Sequence, residues 1–193
     1  ILPVLAGCND DGTGTTPANR TPLSVSAGIR MEAGTATSPE TRATDATWHQ
    51  GDAIGVYTLV SGTDNVYDGQ ANFKYVNGTA DGASASFNPA DAGNTAYYPT
   101  DGSEVDIMAY YPYREISDRS FFLVVNVLNQ TSLPAIDLMT AQKAEGKSQD
   151  DAAASLVFEH RLTKLNITLA RGEGADEIDL DDARITLSGT PAT

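Results

Sequence analysis

The sequence predicts an all-β protein, and the simplest architecture for it is a two-sheet β-sandwich. Apolar and polar residues alternate with a period of two in many segments. Asn-Gly, Asp-Gly and Pro turn signals separate these segments at short intervals. No segment carries a helical apolar stripe longer than two turns. A chain of 193 residues can bury a core without the support of metals or disulfides.

The predicted strands begin at Leu23 and recur along the chain. Leu23 to Met31 alternates in polarity, whereas Asp52 to Val60 is apolar on both faces, as expected of a central strand. Further strands are predicted at NFKYVNG, ASASFNP, TAYYP, VDIMAYYPY, SFFLVVNVL and ARITLSG, with LMTAQ as a short edge piece. The segment AQKAEGKSQDDAAA lacks an apolar stripe and is predicted to be a loop.

The longest apolar run, Ser155 to Ala170, changes the parity of its apolar residues midway. One extra residue near Thr163 and Lys164 would keep both sets on one face, so a β-bulge is predicted there. The alternation also predicts the buried core, whose named members are Trp48, Ile54, Val56, Phe158, Leu162 and Ile167.

The charge balance excludes some partners. Twenty-six acidic residues against 12 basic ones give a formal net charge of −14. Such a chain is repelled by nucleic-acid backbones and anionic membrane surfaces, so nucleic-acid binding is not expected. No apolar stretch approaches the roughly 20 residues that a membrane-spanning helix needs.

The search for catalytic or metal-binding residues finds little. His49 is expected to be exposed in a turn, and His160 to be a half-buried imidazole among apolar neighbours. No nucleophile–base pair, metalloprotease motif or phosphate-binding loop is present. The acidic stretches DNVYDG and DEIDLDD could supply oxygen ligands to calcium, but neither has EF-hand spacing. We therefore predict no enzyme activity, no catalytic residue, no metal site and no cofactor.

The start of the sequence resembles the end of a bacterial lipoprotein signal. The apolar run ILPVL leads into Leu5-Ala6-Gly7-Cys8, which is similar to the lipobox, where the signal is cut before Cys and the thiol is lipidated. We therefore expect residues 1–7 to be the end of a signal peptide and Cys8 to be the lipidation site. The polar residues 8–22 are typical of a flexible tether. The alternative is an apolar arm with a free thiol.

Five segments in order carry a resemblance to a known family: TRATDATWHQGDAIGVY, AYYP, VDIMAYYPY, DLMTAQ and LVFEHRLTKLNITL. Together they resemble the N-terminal domain of the fimbrillin-like family of Bacteroidetes surface lipoproteins, the subunits of type V pili. The likeness extends from about Leu23 to the end of the sequence. Residues 23–193 are therefore expected to form the fimbrillin N-terminal β-sandwich domain, with the family's C-terminal domain outside this sequence.

The resemblance implies both a fold and a function. The implied fold is a two-sheet transthyretin-like β-sandwich of about seven core strands. The implied function is that of a structural or adhesive pilus subunit, located at the cell surface as an outer-membrane lipoprotein or within a fimbria. Its partners would be other pilus subunits, joined by β-strand addition, and a host or bacterial surface ligand.

A second interpretation is a surface glycan-binding lipoprotein of similar build. Aromatic rings can stack on sugars, and the tyrosine clusters AYYP and AYYPY, together with Trp48, are the candidate platform. Packing in the core is the competing interpretation of the same residues.

In the family, an arginine-specific protease can remove an N-terminal strand and leave a groove that a neighbour's strand fills. Arg20, Arg30 and Arg42 precede the second predicted strand. Arg30 lies inside a strand, and a cut at Arg20 would free only the tether. Arg42 lies in a polar, proline-containing segment of the kind that proteases prefer. The predicted cleavage site is therefore the bond between Arg42 and Ala43.

The lipobox generates a direct prediction. Cys8→Ala, made in the natural precursor, should abolish metabolic labelling with a fatty-acid probe, because the modified thiol is gone. Thr15→Ala, in the tether, is the matched control and should label normally. Continued labelling of Cys8→Ala would contradict the assignment.

Overall fold

The computed structural model describes residues 20–30, 47–116, 125, 126, 128, 130–162, 169, 184 and 186. This part of the chain contains eight strands: β1 Ser24–Ile29, β2 Ala53–Val60, β3 Phe73–Asn77, β4 Ser84–Pro89, β5 Val105–Tyr111, β6 Met139–Ala141, β7 Ala144–Lys147 and β8 Ala153–His160. The helical elements of this part are short: α1 Leu133–Ile136 and two 3-10 turns, Ala92–Asn94 and Gln149–Asp151.

Seven of these strands close into a barrel. The hydrogen-bonded order is β2-β3-β4-β1-β8-β6-β5, and β5 pairs in turn with β2, with Gly55 opposite Tyr110 and Val60 opposite Val105. β7 lies beside the first half of β5 as an eighth strand. The all-β prediction is confirmed, but the two-sheet transthyretin-like β-sandwich is wrong. Alternating polarity indicates which face of a strand is buried, and it does not indicate which strands are paired.

The prediction that β2 is buried on both faces is confirmed. Ile54 and Val56 point into the main core, which the inward side chains of the barrel strands form. Tyr57 and Leu59 point the other way, into a smaller cluster with Ala71 and Tyr110. An apolar run without alternation is therefore explained by cores on both sides of the strand.

Four of the six predicted core residues are confirmed, since Trp48, Ile54, Val56 and Phe158 are at most 1% exposed. Leu162 is 38% exposed, and its prediction is wrong. The parity of β8 does not carry on to this residue, because the strand ends at His160. Ile167 and the predicted bulge at Thr163 and Lys164 lie outside the described residues, as do most of SFFLVVNVL and ARITLSG.

Three predicted elements differ from the structure. TAYYP forms no strand and makes only an isolated bridge from Tyr97 to Pro22. β6, from LMTAQ, is not an edge piece, because it pairs with both β5 and β8 and helps to close the barrel. The predicted loop AQKAEGKSQDDAAA contains β7 and a 3-10 turn.

A buried carboxylate explains why polar β7 is a strand. Asp106 on β5 is 2% exposed, and it accepts hydrogen bonds from Gly62 N at 2.9 Å, Gly146 N at 3.0 Å and Ser61 Oγ at 3.2 Å. Burial alone would raise the pKa of Asp106, but these hydrogen bonds and Lys143 hold it below its usual value. The bond from Gly146 joins β7 to the Asp106 side chain of β5 beside their backbone pairing, so β7 is held without an apolar stripe.

The inward parity of β8 generates a stability prediction. Phe158→Ala should lower the free energy of unfolding by about 3–5 kcal/mol, because it leaves a cavity in the core. Val157→Ala is the matched control, since Val157 points outward and is 40% exposed. Urea denaturation measures both variants. A loss below about 1 kcal/mol for Phe158→Ala would mean that the strand is peripheral.

Candidate functional site

The site that the fold builds is the slot occupied by β1. This strand runs antiparallel to β4, with Val25 opposite Phe87, and parallel to β8, with Ile29 opposite Phe158. Among the described strands, β1 is the one that hydrogen-bonds to both β4 and β8, and these two strands are not paired with each other. We call the slot between them, which β1 fills, the β1 groove. Without β1, the facing edges of β4 and β8 would carry unpaired backbone donors and acceptors.

Side chains of β1 alternate across the barrel wall, as their sequence predicts. Val25 and Ala27, and Leu23 just before the strand, are at most 3% exposed, whereas Ser24 and Ser26 face solvent. At each of these levels, one flanking strand contributes a large inward side chain and the other contributes an alanine. Val25 lies between Phe87 and Ala154, and Ala27 lies between Ala85 and Leu156. The inner wall therefore presents side-chain positions of different size along the groove.

The floor of the groove is aromatic. Trp48, the only tryptophan of the chain, is fully buried and makes edge-to-face contacts with Phe87 at 5.0 Å, Phe158 at 5.1 Å and Tyr111 at 5.5 Å between ring centroids. Phe87 and Phe158 belong to the two strands that flank β1, so the indole bridges these strands beneath it. Its Nε1 has no hydrogen-bond partner among the described residues.

The residues before β1 are held by a second set of bonds. Leu23 N donates to Ala96 O at 2.9 Å, and Tyr98 N donates to Thr21 O at 3.0 Å, as in a short antiparallel pair. The buried hydroxyl of Tyr75 joins the two segments, because it donates to Leu23 O at 3.4 Å and accepts from Ala96 N at 3.2 Å. Burial raises the pKa of Tyr75 to about 12.

An ion pair holds each end of this segment. Arg20 Nη2 lies 2.9 Å from Asp68 Oδ2, and its guanidinium also stacks 4.9 Å from the centre of the Tyr97 ring. Arg30 Nη1 lies 2.6 Å from Glu159 Oε1 on β8, and Arg30 N donates to Phe158 O at 2.8 Å. Both arginine side chains are therefore paired with a carboxylate, and the backbone of Arg30 is hydrogen-bonded as well.

The sequence-predicted site residues Cys8, Arg42 and Ala43 lie outside the described residues. The structure does place both histidines, and each contacts a different carboxylate. His49 is exposed, with Nδ1 2.9 Å from Asp81 Oδ2. His160 is half-buried, with Nδ1 2.8 Å from Asp137 Oδ1. The predicted exposure of both residues is confirmed, and the structure does not bring them together as an acid–base pair.

The acids of DNVYDG do not converge on one point. Asp64 pairs with Lys143 at 2.6 Å and Asp68 pairs with Arg20, so each has a cation as its partner. Within the described ranges, no three His, Cys, Asp or Glu side chains lie close enough to share a metal ion. DEIDLDD lies outside those ranges.

The candidate glycan platform is mostly core. Trp48, Tyr98, Tyr110 and Tyr111 are at most 8% exposed. The half-buried ring of Tyr113 has Lys74 Nζ 5.4 Å from its centre, in the cation–π arrangement that Arg20 makes on Tyr97. These contacts favour the packing interpretation of the tyrosine clusters.

An open cleft of about 190 Å³ lies beside β3. Its lining includes Phe73, Tyr113, Asn72 and Asn94. Both amides are already used within the protein, since Asn72 Nδ2 donates to Arg114 O at 2.9 Å and Asn94 Oδ1 accepts from Lys74 N at 2.7 Å. The two amides that line the cleft are therefore committed to contacts within the protein.

Sequence reasoning identified β1 as a strand and missed that it closes the barrel. No local pattern encodes a parallel pairing between residues more than 120 positions apart. One signal was available: arginines stand at both ends of an alternating segment without acidic residues, in a strongly acidic chain.

Tyr75 generates a prediction about pH. Below pH 10 the hydroxyl is protonated in both states, whereas between pH 10 and 12 only the unfolded chain releases the proton. The free energy of unfolding should therefore fall as the pH rises through this range. In Tyr75→Phe the free energy of unfolding should fall less steeply with pH, by an amount that corresponds to the release of up to about one proton. The variant should also have a free energy of unfolding about 1–2 kcal/mol lower at pH 7, because it loses the hydrogen bonds of the hydroxyl.

Urea denaturation from pH 7 to 12 measures both effects. The control is Tyr97→Phe, which removes a hydroxyl from a half-buried ring and should change the free energy at pH 7 little. An unchanged alkaline slope in Tyr75→Phe would contradict the assignment of this proton.

The chain is similar to named proteins over most of its length. A candidate fimbrium subunit of Bacteroides uniformis, Fim1C, is 41% identical over 187 residues, which cover 96% of this chain and 57% of the relative. The crystal structure of a candidate cell adhesion protein from the same species is 35% identical, with a TM-score of 0.60, and the match covers 76% of this chain and 49% of that one. The chain thus spans about half the length of these relatives.

A second crystal structure, of a candidate cell adhesion protein from Bacteroides ovatus, shares the fold. It has a TM-score of 0.50 at 23% identity, and the match covers 73% of this chain and 52% of that one. Residues 41–193 match the family described as fimbrillin-like, which is most of the sequence. The chain therefore belongs to the fimbrillin-like family.

Proposed function

We propose that this protein is a structural or adhesive subunit of a cell-surface fimbria, a type V pilus, and that it assembles by β-strand addition at the β1 groove. The observation that carries the proposal is the position of β1, which pairs with both β4 and β8 where, among the described strands, these two are not paired with each other. Replacing this strand would exchange one set of backbone hydrogen bonds for an equivalent set from another subunit.

The connections of β1 support its release as a unit. The strand pairs with β4 and β8, and residues 31–46 are its covalent connection to Trp48 and the rest of the barrel. One cut anywhere in residues 31–46 would leave β1 held by non-covalent contacts alone.

The bonding of the arginines favours Arg42 as the cut site. Arg20 and Arg30 are each engaged by a carboxylate, and Arg30 is also hydrogen-bonded through its backbone. An arginine-specific protease needs a free guanidinium on an extended, accessible backbone. The polar, proline-containing sequence around Arg42 is suited to that requirement.

Two further parts of the proposal concern the location and class of the protein. The lipobox-like segment supports export as an outer-membrane lipoprotein anchored through Cys8, with residues 8–22 as the tether. The named relatives, a fimbrium subunit and a cell adhesion protein, support a structural role rather than a catalytic one.

Limited digestion tests the cleavage step. An arginine-specific protease acting on the folded protein should produce a large fragment that begins at Ala43, and polymerisation should follow. Arg42→Ala should resist the cut and remain monomeric, whereas Thr41→Ala, the adjacent control, should be cut and assemble. Normal assembly of Arg42→Ala would contradict assembly that depends on this cleavage.

A further inference from the structure

The segment that fills the β1 groove differs in charge from the rest of the protein. Residues 20–30 contain two arginines and no acidic residue, so the segment carries +2. Subtracting this charge from the formal net charge of −14 leaves −16 on the remainder of the chain. Both arginines lie on carboxylates of that remainder, Asp68 at one end and Glu159 at the other. The vacated groove would therefore present the Asp68 carboxylate at one end and the Glu159 carboxylate at the other, where Arg161 Nη1 also lies 3.9 Å from Glu159 Oε2.

The groove is also restricted in size near its middle. Phe87 lies opposite Val25 and Phe158 lies opposite Ile29. Ala27 is the inward residue between these two levels, and it is 3% exposed between Ala85 and Leu156, in the same core as the Trp48 indole, which contacts both phenylalanine rings. Protein interiors are close-packed, so a larger side chain at this position would have to displace the core side chains around it.

We propose that the β1 groove selects the strand that fills it through two features: a small side chain at the position of Ala27, and cations at the positions of Arg20 and Arg30. The occupant is an extended strand of a second subunit that carries the same pattern. This inference rests on the proposed function, in which β1 is replaced, and it specifies the partner.

The size feature acts on affinity, and it is confined to the inward positions. Leu23 and Val25 are larger and equally buried, so the groove accepts bulk at their levels. Outward positions are not restricted in the same way: a Cβ added at Gly28 would meet one atom, Ala83 O, at 3.8 Å. The groove therefore discriminates among donor strands by the size of their inward side chains, which are those of every second residue.

The charge feature acts on the rate of association. Both ion pairs are partly exposed, with the Asp68 side chain 57% and the Arg30 side chain 48% accessible. Exposed pairs contribute little to stability, but opposite charges accelerate encounter and orient the partner. Ten residues of strand span roughly 33 Å, several times the Debye length at physiological salt, so the two ends act as separate contacts.

The first experiment measures the size restriction in the intact, uncut chain. Ala27→Leu should lower the melting temperature by roughly 3–10 °C through overpacking. Ser24→Leu is the matched control, because it adds a leucine to an outward position of the same strand, and its melting temperature should stay within about 2 °C. An unchanged melting temperature in Ala27→Leu would contradict the size restriction.

The second experiment measures selection by the groove. The full chain is cut within residues 31–46, by the arginine-specific protease or at an inserted protease site, and is mixed with labelled peptides of residues 20–30. Four peptides are compared: the native sequence, Ala27→Leu, Ser24→Leu, and Arg20→Gln with Arg30→Gln. Co-elution of label with protein measures occupancy, and fluorescence of Trp48 reports the filling of the groove above it.

The native and Ser24→Leu peptides should exchange in equally. The Ala27→Leu peptide should bind about tenfold more weakly. The glutamine peptide should associate several-fold more slowly at low salt, and added salt should slow it less than the native peptide. Entry of all four peptides at equal rates and occupancies contradicts the selection alone. Failure of every peptide, including the native one, contradicts strand replacement itself and the selection with it.

Discussion

The barrel depends on the pairing of β1 with both of its neighbours, β4 and β8. β4 and β8 are both edge strands without β1, and its backbone bonds to each of them complete the ring. Trp48 lies beneath this junction and contacts an aromatic residue from each flanking strand. The ring therefore closes beside an aromatic cluster to which both flanking strands contribute.

The bonds that hold β1 have unequal physical roles. Backbone hydrogen bonds and the burial of Leu23, Val25 and Ala27 supply most of the stability, since apolar burial is the dominant favourable contribution to folding. The ion pairs of Arg20 and Arg30 are partly exposed, so they contribute less to stability and more to register and encounter. The Tyr75 hydroxyl fixes the residues before the strand against the Ala96 segment.

Alternating polarity in the sequence predicted the strands and most of the core, because burial on one face of a strand imposes a period of two. It could not predict that β2 pairs with β5, or β1 with β8, because the same inward face fits a sandwich or a barrel. β7 was missed because Asp106 holds it through polar bonds, which leave no apolar pattern. The β1 groove could not be predicted from composition either, since it exists only where two distant strands flank the first.

Closure of the ring also has a consequence for the proposed assembly. Unpaired strand edges are templates for aggregation, and each of the seven ring strands has two neighbours, which leaves short β7 as the described strand with one partner. In the proposed scheme, β1 therefore protects the edges of β4 and β8 until assembly. The acidic remainder of the chain repels its copies over the same period. Under this proposal, a basic donor strand would reverse that repulsion locally, at the two carboxylates that β1 has vacated. Attraction between subunits would then be limited to the groove and to the time when it is open.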